Sequence, residues 1–390
     1  MSLKSIELFS GAGGLALGLE AAGFKHLGLV ERNRDACETI RMNRPMWNLL
    51  QNDIREIDFS NFGKVDLVAG GPPCQPFSMG GKARGHADLR DMFPQAVRAV
   101  RELQPQAFIF ENVRGLLRPA FQNYVEYIRL QLMYPDFPVS ENAVWDKNLA
   151  RLQRYHNSTS SREGLSYRVT INLADAADYG VPQRRHRVFF VGFRSDLDSN
   201  WSFPSPSASM DELLRSQYIT KEYWSQHGIS SPREIPARWK QRILTYSTPD
   251  LFNRAYRWRT VRDAITGLGT PQKISSHANH FFQPGAKSYP GHTGSPMDEP
   301  SKALKAGGHG VPGGENMLVH RNGEVRYFSV RESARIQTFP DNYVFSGSWS
   351  ESMRQLGNAV PVALAQAVAE SVANHLKAKH GERPLVQSPR

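Results

Sequence analysis

The chain has 390 residues, of which 40% are hydrophobic and 22% are charged, and Lys and Arg outnumber Asp and Glu by 48 to 37. No apolar run approaches the roughly 18 residues that would span a bilayer, which excludes a membrane-inserted protein and leads us to expect a cytoplasmic one. The excess of positive charge favours a polyanionic partner, nucleic acid first among them. Cys37 and Cys74 are the only two cysteines, too few for a disulfide framework and consistent with a reducing compartment.

The first half of the chain alternates β-rich runs with segments of helical periodicity, which predicts a parallel sheet covered by helices. Two strands near its end, at residues 167–173 and 187–193, are separated by a stretch too short for a helical crossover, so we expect them to pair antiparallel. The predicted fold class is therefore α/β. The other predicted strands are residues 5–9, 26–31, 48–52, 65–69 and 107–111, and the predicted helices are residues 13–22, 33–43 and 90–103.

The second half of the chain is less regular. From about residue 196 to about residue 326 it is rich in Ser, Pro, Trp and Arg and has little periodicity, which predicts a second, irregular domain. Residues 331–334 and 351–379 are again predicted to be helical, with Pro361 marking a break or a helix start.

A glycine-rich turn, Ser-Gly-Ala-Gly-Gly at residues 10–14, joins the first predicted strand to the first helix. In open α/β folds such a turn cradles a nucleotide, because glycines let backbone amides approach the ligand. Gly11, Gly13 and Ala16 also satisfy the dinucleotide pattern G-x-G-x-x-A, so a nicotinamide enzyme stays an alternative, as does a plain tight turn.

Two acidic residues extend this pattern. Glu31 ends the second predicted strand, where it is placed to bind ribose hydroxyls, and Asp53 follows the third, where it could accept from an adenine amino group. Either acid alone would be interpreted as a loop residue or a helix cap. Together with the glycine turn they outline a site for an adenosine.

The fourth predicted strand runs directly into Gly-Gly-Pro-Pro-Cys-Gln-Pro-Phe-Ser at residues 70–78. Cys74 is thereby predicted at the carboxyl edge of the sheet, where such folds bind their ligands. Prolines on both sides fix the backbone, as a nucleophile held at a set distance from its target requires and a structural cysteine does not. Cys37, inside a predicted helix, is interpreted as a small core residue.

Charged residues stand at the ends of two further strands. Glu111 ends the fifth, where burial favours the protonated carboxyl and would let it act as an acid. Arg185 and Arg187 open the last predicted strand, and the two-residue period of a strand places them on one face. A surface basic cluster is the alternative, but the neighbouring sites favour contacts of these arginines with a phosphate or a base.

Six segments, taken in this order, resemble the signatures of the cytosine-5 DNA methyltransferase family of bacterial restriction-modification systems. They are residues 9–14, 72–78, 111–113, 183–187, 331–341 and 355–361. The resemblance implies a Rossmann-like S-adenosylmethionine-dependent methyltransferase sheet with a smaller, irregular target-recognition domain. It divides the chain into a catalytic and cofactor-binding domain at residues 1–195, a target-recognition domain at 196–326, and a C-terminal segment at 327–390 that returns to the catalytic domain.

The resemblance also implies the cofactor, which is S-adenosylmethionine, and a site without a metal. Phe9 would stack on the adenine, Glu31 would bind the ribose, Asp53 would read the adenine edge, and Asn358 would complete the pocket. The full set of implied cofactor residues is Phe9, Gly11, Gly13, Gly14, Glu31, Asp53, Pro72 and Asn358.

The implied reaction begins with addition of the Cys74 thiolate to carbon 6 of a cytosine that has flipped out of duplex DNA. Glu111 would stabilise charge at ring nitrogen 3, and Arg187 would lie near the carbonyl at position 2, with Arg185 as a further catalytic residue. The glycine-rich, basic segment at residues 79–86 is expected to open and close over DNA. Expected DNA contacts in and around it are Gln75, Ser78, Lys82, Arg84 and Arg90.

The target-recognition domain itself mixes basic and aromatic residues, which suits contacts with phosphates and bases, although a small aromatic core explains the Trp residues equally well. These residues are Arg233, Arg238, Lys240, Arg242, Arg257 and Arg259, with Trp224, Trp239, Tyr246 and Trp258. We expect a monomer that acts on double-stranded DNA, with a cognate restriction endonuclease as a further partner. The alternatives are an RNA cytosine methyltransferase on the same scaffold and a catalytically silent nucleic-acid-binding module.

Overall fold

The computed structural model describes residues 2–73, 91–140, 144–158, 164–197, 200–245, 255–272, 275–306, 316–379 and 381. The chain forms two compact units. The first comprises Met1–Ala174, His186–Pro204 and Ala365–Arg390, and the second comprises Asp175–Arg185 and Ser205–Leu364. The second unit thus includes residues 175–185 of the segment predicted as catalytic and residues 327–364, more than half, of the predicted C-terminal segment. The division by function at residues 195 and 326 stays a prediction.

The first unit is built on one seven-stranded sheet. Its strands are β1 (Leu3–Leu8), β2 (Phe24–Glu31), β3 (Leu49–Gln51), β4 (Leu67–Gly70), β5 (Ala107–Val113), β6 (Tyr167–Asp175) and β7 (His186–Arg194). The order across the sheet is β3-β2-β1-β4-β5-β7-β6, and β1 to β5 are parallel where they pair. The predicted α/β class is confirmed, because helices connect parallel strands of one sheet. The carboxyl ends of these strands lie at one edge of the sheet.

The last two strands of the sheet run against their neighbours. β7 is antiparallel to β5. At the two ends of the β6 and β7 pair, Ala176 N donates to Arg185 O at 2.9 Å and Ser195 N donates to Ser166 O at 2.9 Å. These bonds join the end of one strand to the start of the other, so the predicted antiparallel pairing is confirmed.

The described α-helices before β6 are α1 (Gly14–Ala21), α2 (Arg34–Asn43), α3 (Phe93–Leu103), α4 (Gln122–Met133) and α5 (Trp145–Asn157). The main core fills the space between the sheet and α3, α4 and α5. Phe93 of α3 meets Phe190 of β7 edge-on, with ring centroids 5.6 Å apart. Burying one such ring contributes about 1.5–3 kcal/mol, so this face anchors the strands that end at the site.

The second unit has short elements, as its composition predicts. They are β8 (Ala208–Ser209), α6 (Met210–Leu214), a π-helical turn (Arg215–Ile219), α7 (Glu222–Gln226), α8 (Ala237–Leu244), β9 (Tyr256–Arg257), α9 (Val261–Ile265), β10 (Ser295–Pro296), β11 (Met317–Val319) and β12 (Val325–Tyr327). Trp224 and Trp258 are buried in a small cluster with Tyr223 and Leu213. These two tryptophans therefore form an aromatic core, the alternative that their sequence left open.

Three helices end the described chain, namely α10 (Val330–Ile336), α11 (Trp349–Asn358) and α12 (Val362–Lys379). The predicted break at Pro361 is confirmed, since α11 ends just before it and α12 begins just after it. From Ala365 onward α12 belongs to the first unit, where a Cβ added at Gly18 of α1 would come within 2.5 Å of the Ala365 Cβ. Only glycine at this position allows the two helices to approach so closely.

One stretch, Trp349–Lys379, is long and apolar enough to cross a membrane by length and composition alone. Its most apolar window is 67% buried within the protein. Burial of this extent is typical of a core helix, and the break at Pro361 divides the stretch into two helices.

Candidate active site

The turn between β1 and α1 adopts a conformation that glycine favours. Phe9, Gly11 and Gly13 have φ values of 57°, 54° and 85°. For Phe9, which carries a side chain, this left-handed conformation costs about 1–3 kcal/mol, and such strain is concentrated at functional sites. Gly13 is the N-cap of α1, and no described side chain caps the helix, so its first amides are available to a ligand.

Two observations at this turn fit a nucleotide-type ligand such as S-adenosylmethionine. A Cβ added at Gly11 would meet nothing within 4 Å, so open space borders the turn. Among the described residues, the buried Ser10 hydroxyl and the buried Oε2 of Glu7 have no hydrogen-bond partner. Burial, with a smaller contribution from Glu31, raises the pKa of Glu7 well above its ordinary value and so favours the protonated carboxyl.

Glu31 connects the turn to the end of β2. Its Oε2 accepts a hydrogen bond from Gly11 N at 2.8 Å, and its Oε1 accepts from Arg32 N at 3.0 Å and Asn33 N at 2.7 Å. Three backbone donors therefore hold the carboxylate in one orientation beside the turn. The assignment of Glu31 to the ribose stays a prediction, and the spare lone pairs of a carboxylate leave room for it.

Asp53 lies after β3 as expected, and it caps a short 3-10 turn, Ile54–Glu56. Its carboxylate accepts from Arg55 N at 3.0 Å, Arg55 Nε at 2.9 Å and Arg55 Nη2 at 2.6 Å. These bonds lower the pKa of Asp53 well below its ordinary value. The cap that the sequence left open as an alternative is thus formed, and a contact with the adenine stays a prediction.

The ends of β5 and β7 bring a buried ion pair to the carboxyl edge of the sheet. Arg187 Nε lies 2.5 Å from Glu111 Oε1, and their side chains are only 11% and 8% exposed. Burial lowers the pKa of the Arg187 guanidinium, and Glu111 acts in the opposite direction. A guanidinium at this distance stabilises a carboxylate, so Glu111 would have to rearrange this pair before it could donate the predicted proton.

The chain that leads to Cys74 passes directly beside this pair. A Cβ added at Gly71 would lie 3.1 Å from Glu111 Oε2. The buried Asn112 donates from Nδ2 to the Pro72 carbonyl at 3.0 Å, and Met92 N donates to the Pro73 carbonyl at 3.1 Å. Asn112 has no predicted role, although it stands inside the motif at residues 111–113, because a sequence does not reveal which carbonyl a side-chain amide binds.

A family model described as C-5 cytosine-specific DNA methylase matches residues 3–142 and 139–374. The chain belongs to this family. The match covers most of the chain and takes in the glycine turn, the ion pair and the segments on both sides of Cys74.

Curated methylases of the same kind match over almost the whole chain. Type II methyltransferase M.NgoMIV of Neisseria gonorrhoeae is 30% identical over 389 residues, covering 97% of this chain and 99% of its own. Type II methyltransferase M.Eco47II of Escherichia coli is 34% identical over 385 residues, covering 97% and 80%.

Solved structures agree in fold. S. pombe Dnmt2 methyltransferase has a TM-score of 0.54 at 17% identity and covers 96% of this chain and 99% of its own. A DNMT2 variant of Spodoptera frugiperda has a TM-score of 0.56 at 18% identity and covers 95% and 99%. Together with the family match, this agreement shows the sheet of an S-adenosylmethionine-dependent methyltransferase.

In this methylase, the contacts described for Arg185 differ from those described for Arg187. Arg185 is buried in the second unit, where its guanidinium donates to the carbonyls of Leu304 at 2.8 Å, Gly357 at 2.5 Å and Ala359 at 3.1 Å. The strand period used for the prediction begins only at His186, so it does not apply to Arg185. Its contacts are those of a structural residue, and its catalytic assignment stays a prediction.

Several predicted site residues lie outside the described residues. They are Cys74, Gln75, Ser78, Lys82, Arg84 and Arg90, together with the segment at residues 79–86. Asn358 is the last residue of α11 and is exposed. Within the described ranges, His, Cys, Asp and Glu form no cluster of three or more that could hold a metal ion.

Proposed function

We propose that this methylase transfers a methyl group from S-adenosylmethionine to carbon 5 of a cytosine within a specific double-stranded DNA sequence. The observation that carries the proposal is the buried pair of Glu111 and Arg187 beside the chain that leads to Cys74. We further propose a cytoplasmic monomer that protects host DNA from a cognate restriction endonuclease. This role is supported by the Type II methyltransferases that match over almost the whole chain.

The cofactor would be held by the turn between β1 and α1 and by the acids next to it. Amides of Gly13 and Gly14 at the start of α1 suit its polar end, and the Glu31 carboxylate, already oriented by three backbone donors, suits ribose hydroxyls. When bound, S-adenosylmethionine supplies an electrophilic methyl group. Phe9, Gly11, Asp53, Pro72 and Asn358 are assigned to the same site by family resemblance.

Carbon 5 of cytosine is too weak a nucleophile to accept a methyl group without activation. The Cys74 thiolate would form a bond to carbon 6. This breaks the carbon 5 to carbon 6 double bond and shifts its electron pair toward carbon 5 and, by conjugation, nitrogen 3, so that carbon 5 becomes a nucleophile. Charge that develops at nitrogen 3 and at the carbonyl of position 2 would be stabilised by Glu111 and Arg187, whose burial strengthens such interactions. Loss of the proton on carbon 5 after methylation would break the bond to Cys74 and restore the aromatic ring.

The position of Asn112 supports this use of Cys74. Its buried amide holds the Pro72 carbonyl two residues before the cysteine, at the same edge of the sheet as Glu111. A nucleophile must be held within a narrow range of distance and angle to its target, so a fixed backbone just before it favours catalysis. We assign Asn112 as a positioning residue.

Nucleoside mass spectrometry tests the proposal. The protein is incubated with S-adenosylmethionine and either unmethylated genomic DNA or total RNA, and the products are digested and analysed. We expect new 5-methylcytosine in DNA only, and none from Cys74→Ala. Cys37→Ala is the matched control, because Cys37 is fully buried in α2 and its loss should leave the product unchanged.

Other outcomes would contradict parts of the proposal. 5-Methylcytosine in RNA would mean that the substrate is RNA. Binding of DNA without any methylated product would favour a catalytically silent binding module. Product from Cys74→Ala would remove the covalent mechanism.

A further inference from the structure

Helix α8 of the second unit carries positive charge that the reaction chemistry does not use. None of its eight residues is buried. It lies within residues 231–245, whose charged residues are four cations and a single anion, Glu234. The four cations are Arg233, Arg238, Lys240 and Arg242.

One side of α8 faces the rest of the second unit. Trp239 and Ile243, four residues apart, are half-buried on this side. Arg238 forms an ion pair with Glu299, and Arg242 Nε lies 2.6 Å from Asp211 Oδ1. The Arg238 and Arg242 side chains are still 58% and 47% exposed, and ion pairs this exposed are weak and screened by salt.

The other side of α8 is open to solvent. Ala237, Lys240, Gln241 and Leu244 are all exposed and follow the helical spacing of one stripe, with Leu244 81% exposed. Lys240 forms no ion pair with any described residue, and neither does Arg233 just before the helix. Leu244 is the only large apolar residue of the stripe, which is too little to bury against a second protein surface.

We propose that α8 docks the substrate duplex through its phosphate backbone. Lys240 and Arg233 contact phosphates directly, and Arg238 and Arg242 exchange Glu299 and Asp211 for phosphate oxygens. Such contacts supply affinity and orientation and carry no sequence information, so the target base is read elsewhere. The inference rests on the proposed function, because it takes duplex DNA as the substrate.

The test uses the full-length protein and a labelled duplex of about 30 base pairs that contains only A·T pairs, so that a target cytosine cannot contribute. The dissociation constant is measured by fluorescence anisotropy from about 50 to 200 mM salt. We expect the double variant Arg233→Gln/Lys240→Gln to bind several-fold more weakly. The slope of log affinity against log salt should become shallower by about 1.8, or about 0.9 for each phosphate that the variant no longer neutralises.

The matched control is Lys25→Gln/Lys64→Gln, which removes the same charge from two exposed positions. Lys25 lies at the start of β2, and Lys64 lies just before β4. These positions lie at the amino ends of parallel strands, away from the edge that binds ligands. Its salt slope should equal that of the wild type. An equal change in both double variants would overturn the inference, since only the overall charge would then matter.

A second variant changes affinity in the opposite direction. Asp211→Asn/Glu299→Gln releases Arg242 and Arg238, so we expect several-fold tighter binding at low salt and a steeper salt slope. If Arg238 and Arg242 only hold α8 in place, this variant would bind the duplex as tightly as the wild type or more weakly. That result would overturn the proposed exchange of carboxylates for phosphates. Methylation of genomic DNA is measured in the same preparations. If methylation is intact but the α8 variants bind the duplex with the affinity and salt slope of the wild type, only this inference is contradicted.

Discussion

The two units of this methylase use charged pairs in opposite ways. In the first unit, Glu111 and Arg187 are 8% and 11% exposed and lie 2.5 Å apart at the edge of the sheet. In the second unit, Arg242 and Asp211 are 47% and 42% exposed, although the atoms they join are equally close at 2.6 Å. Because water screens the second pair and is almost excluded from the first, the same contact has different consequences in the two places.

The difference separates chemistry from affinity. A buried pair acts strongly on a reacting base, but it is costly to disturb because either partner alone would be a buried charge. An exposed pair costs little to break, so its arginine can change partners when a phosphate arrives. The positions of the charges are the basis on which we propose the sheet edge for catalysis and α8 for docking.

The largest expected effect comes from breaking the buried ion pair, and breaking the exposed ion pair is its comparison. Arg187→Met removes the guanidinium that is paired with the buried Glu111, so we expect the free energy of unfolding to fall by about 3–5 kcal/mol and methylation to be lost. Arg242→Met, which removes the same side chain from the exposed pair, should change stability by about 1 kcal/mol or less. Urea unfolding followed by circular dichroism compares the two, and equal losses would refute the contrast between the units.

A smaller effect is expected from Asn112→Ala, which leaves the Pro72 carbonyl without its buried donor. Stability should fall by about 1–3 kcal/mol, and turnover should fall by at least tenfold while cofactor binding is retained. Asn148→Ala is the matched control, since Asn148 is equally buried and bonds the backbone of Ser140. If both variants lose stability and neither loses turnover, the role of Asn112 is only structural.

The smallest expected effect is a gain in the stability of the first unit, from a change at the buried residue Glu7. The pKa of Glu7 is raised by burial, so the folded state holds a proton there that the unfolded chain releases. Stability from this group is therefore full below about pH 4.5 and is lost as the pH rises through the folded pKa.

Glu7→Gln removes this titration. It should be more stable than the wild type near neutral pH, and its stability should vary less with pH. Thermal unfolding between about pH 5 and pH 8 gives the comparison. A variant that is less stable than the wild type at pH 7 would mean that Glu7 is ionised and paired.

The first unit could be predicted well from its sequence because its strands are continuous apolar runs, and their carboxyl ends must meet at one edge. That reasoning placed Glu31, Glu111 and Arg187 at the edge where they lie. Helix α4 was not predicted, since seven of its twelve residues are buried and little polar contrast marks its helical period. Arg55 as the partner of Asp53 was also missed, because a sequence does not show how a nearby side chain folds back.

Less of the second unit could be predicted, for a different physical reason. Its basic residues as a group indicated DNA contacts. However, Arg238 is paired with Glu299, 61 positions later in the chain, and Arg242 with Asp211, 31 positions earlier. Pairs between distant positions depend on the tertiary fold, which periodicity does not reveal. Arg233, Lys240 and Arg259 have no such ion pair in the described part of the chain, and only the structure separates the two sets.

The central claim, a covalent bond between Cys74 and the target cytosine, is tested most directly by trapping that bond. Duplex DNA containing 5-fluorocytosine is incubated with S-adenosylmethionine and the protein. Fluorine replaces the proton on carbon 5 and cannot be removed by a base, so the cysteine cannot be expelled from carbon 6. We predict a protein–DNA complex that survives denaturing electrophoresis with the wild type and with Cys37→Ala, and none with Cys74→Ala. A stable complex with Cys74→Ala, or no complex with an active wild type, would contradict the account.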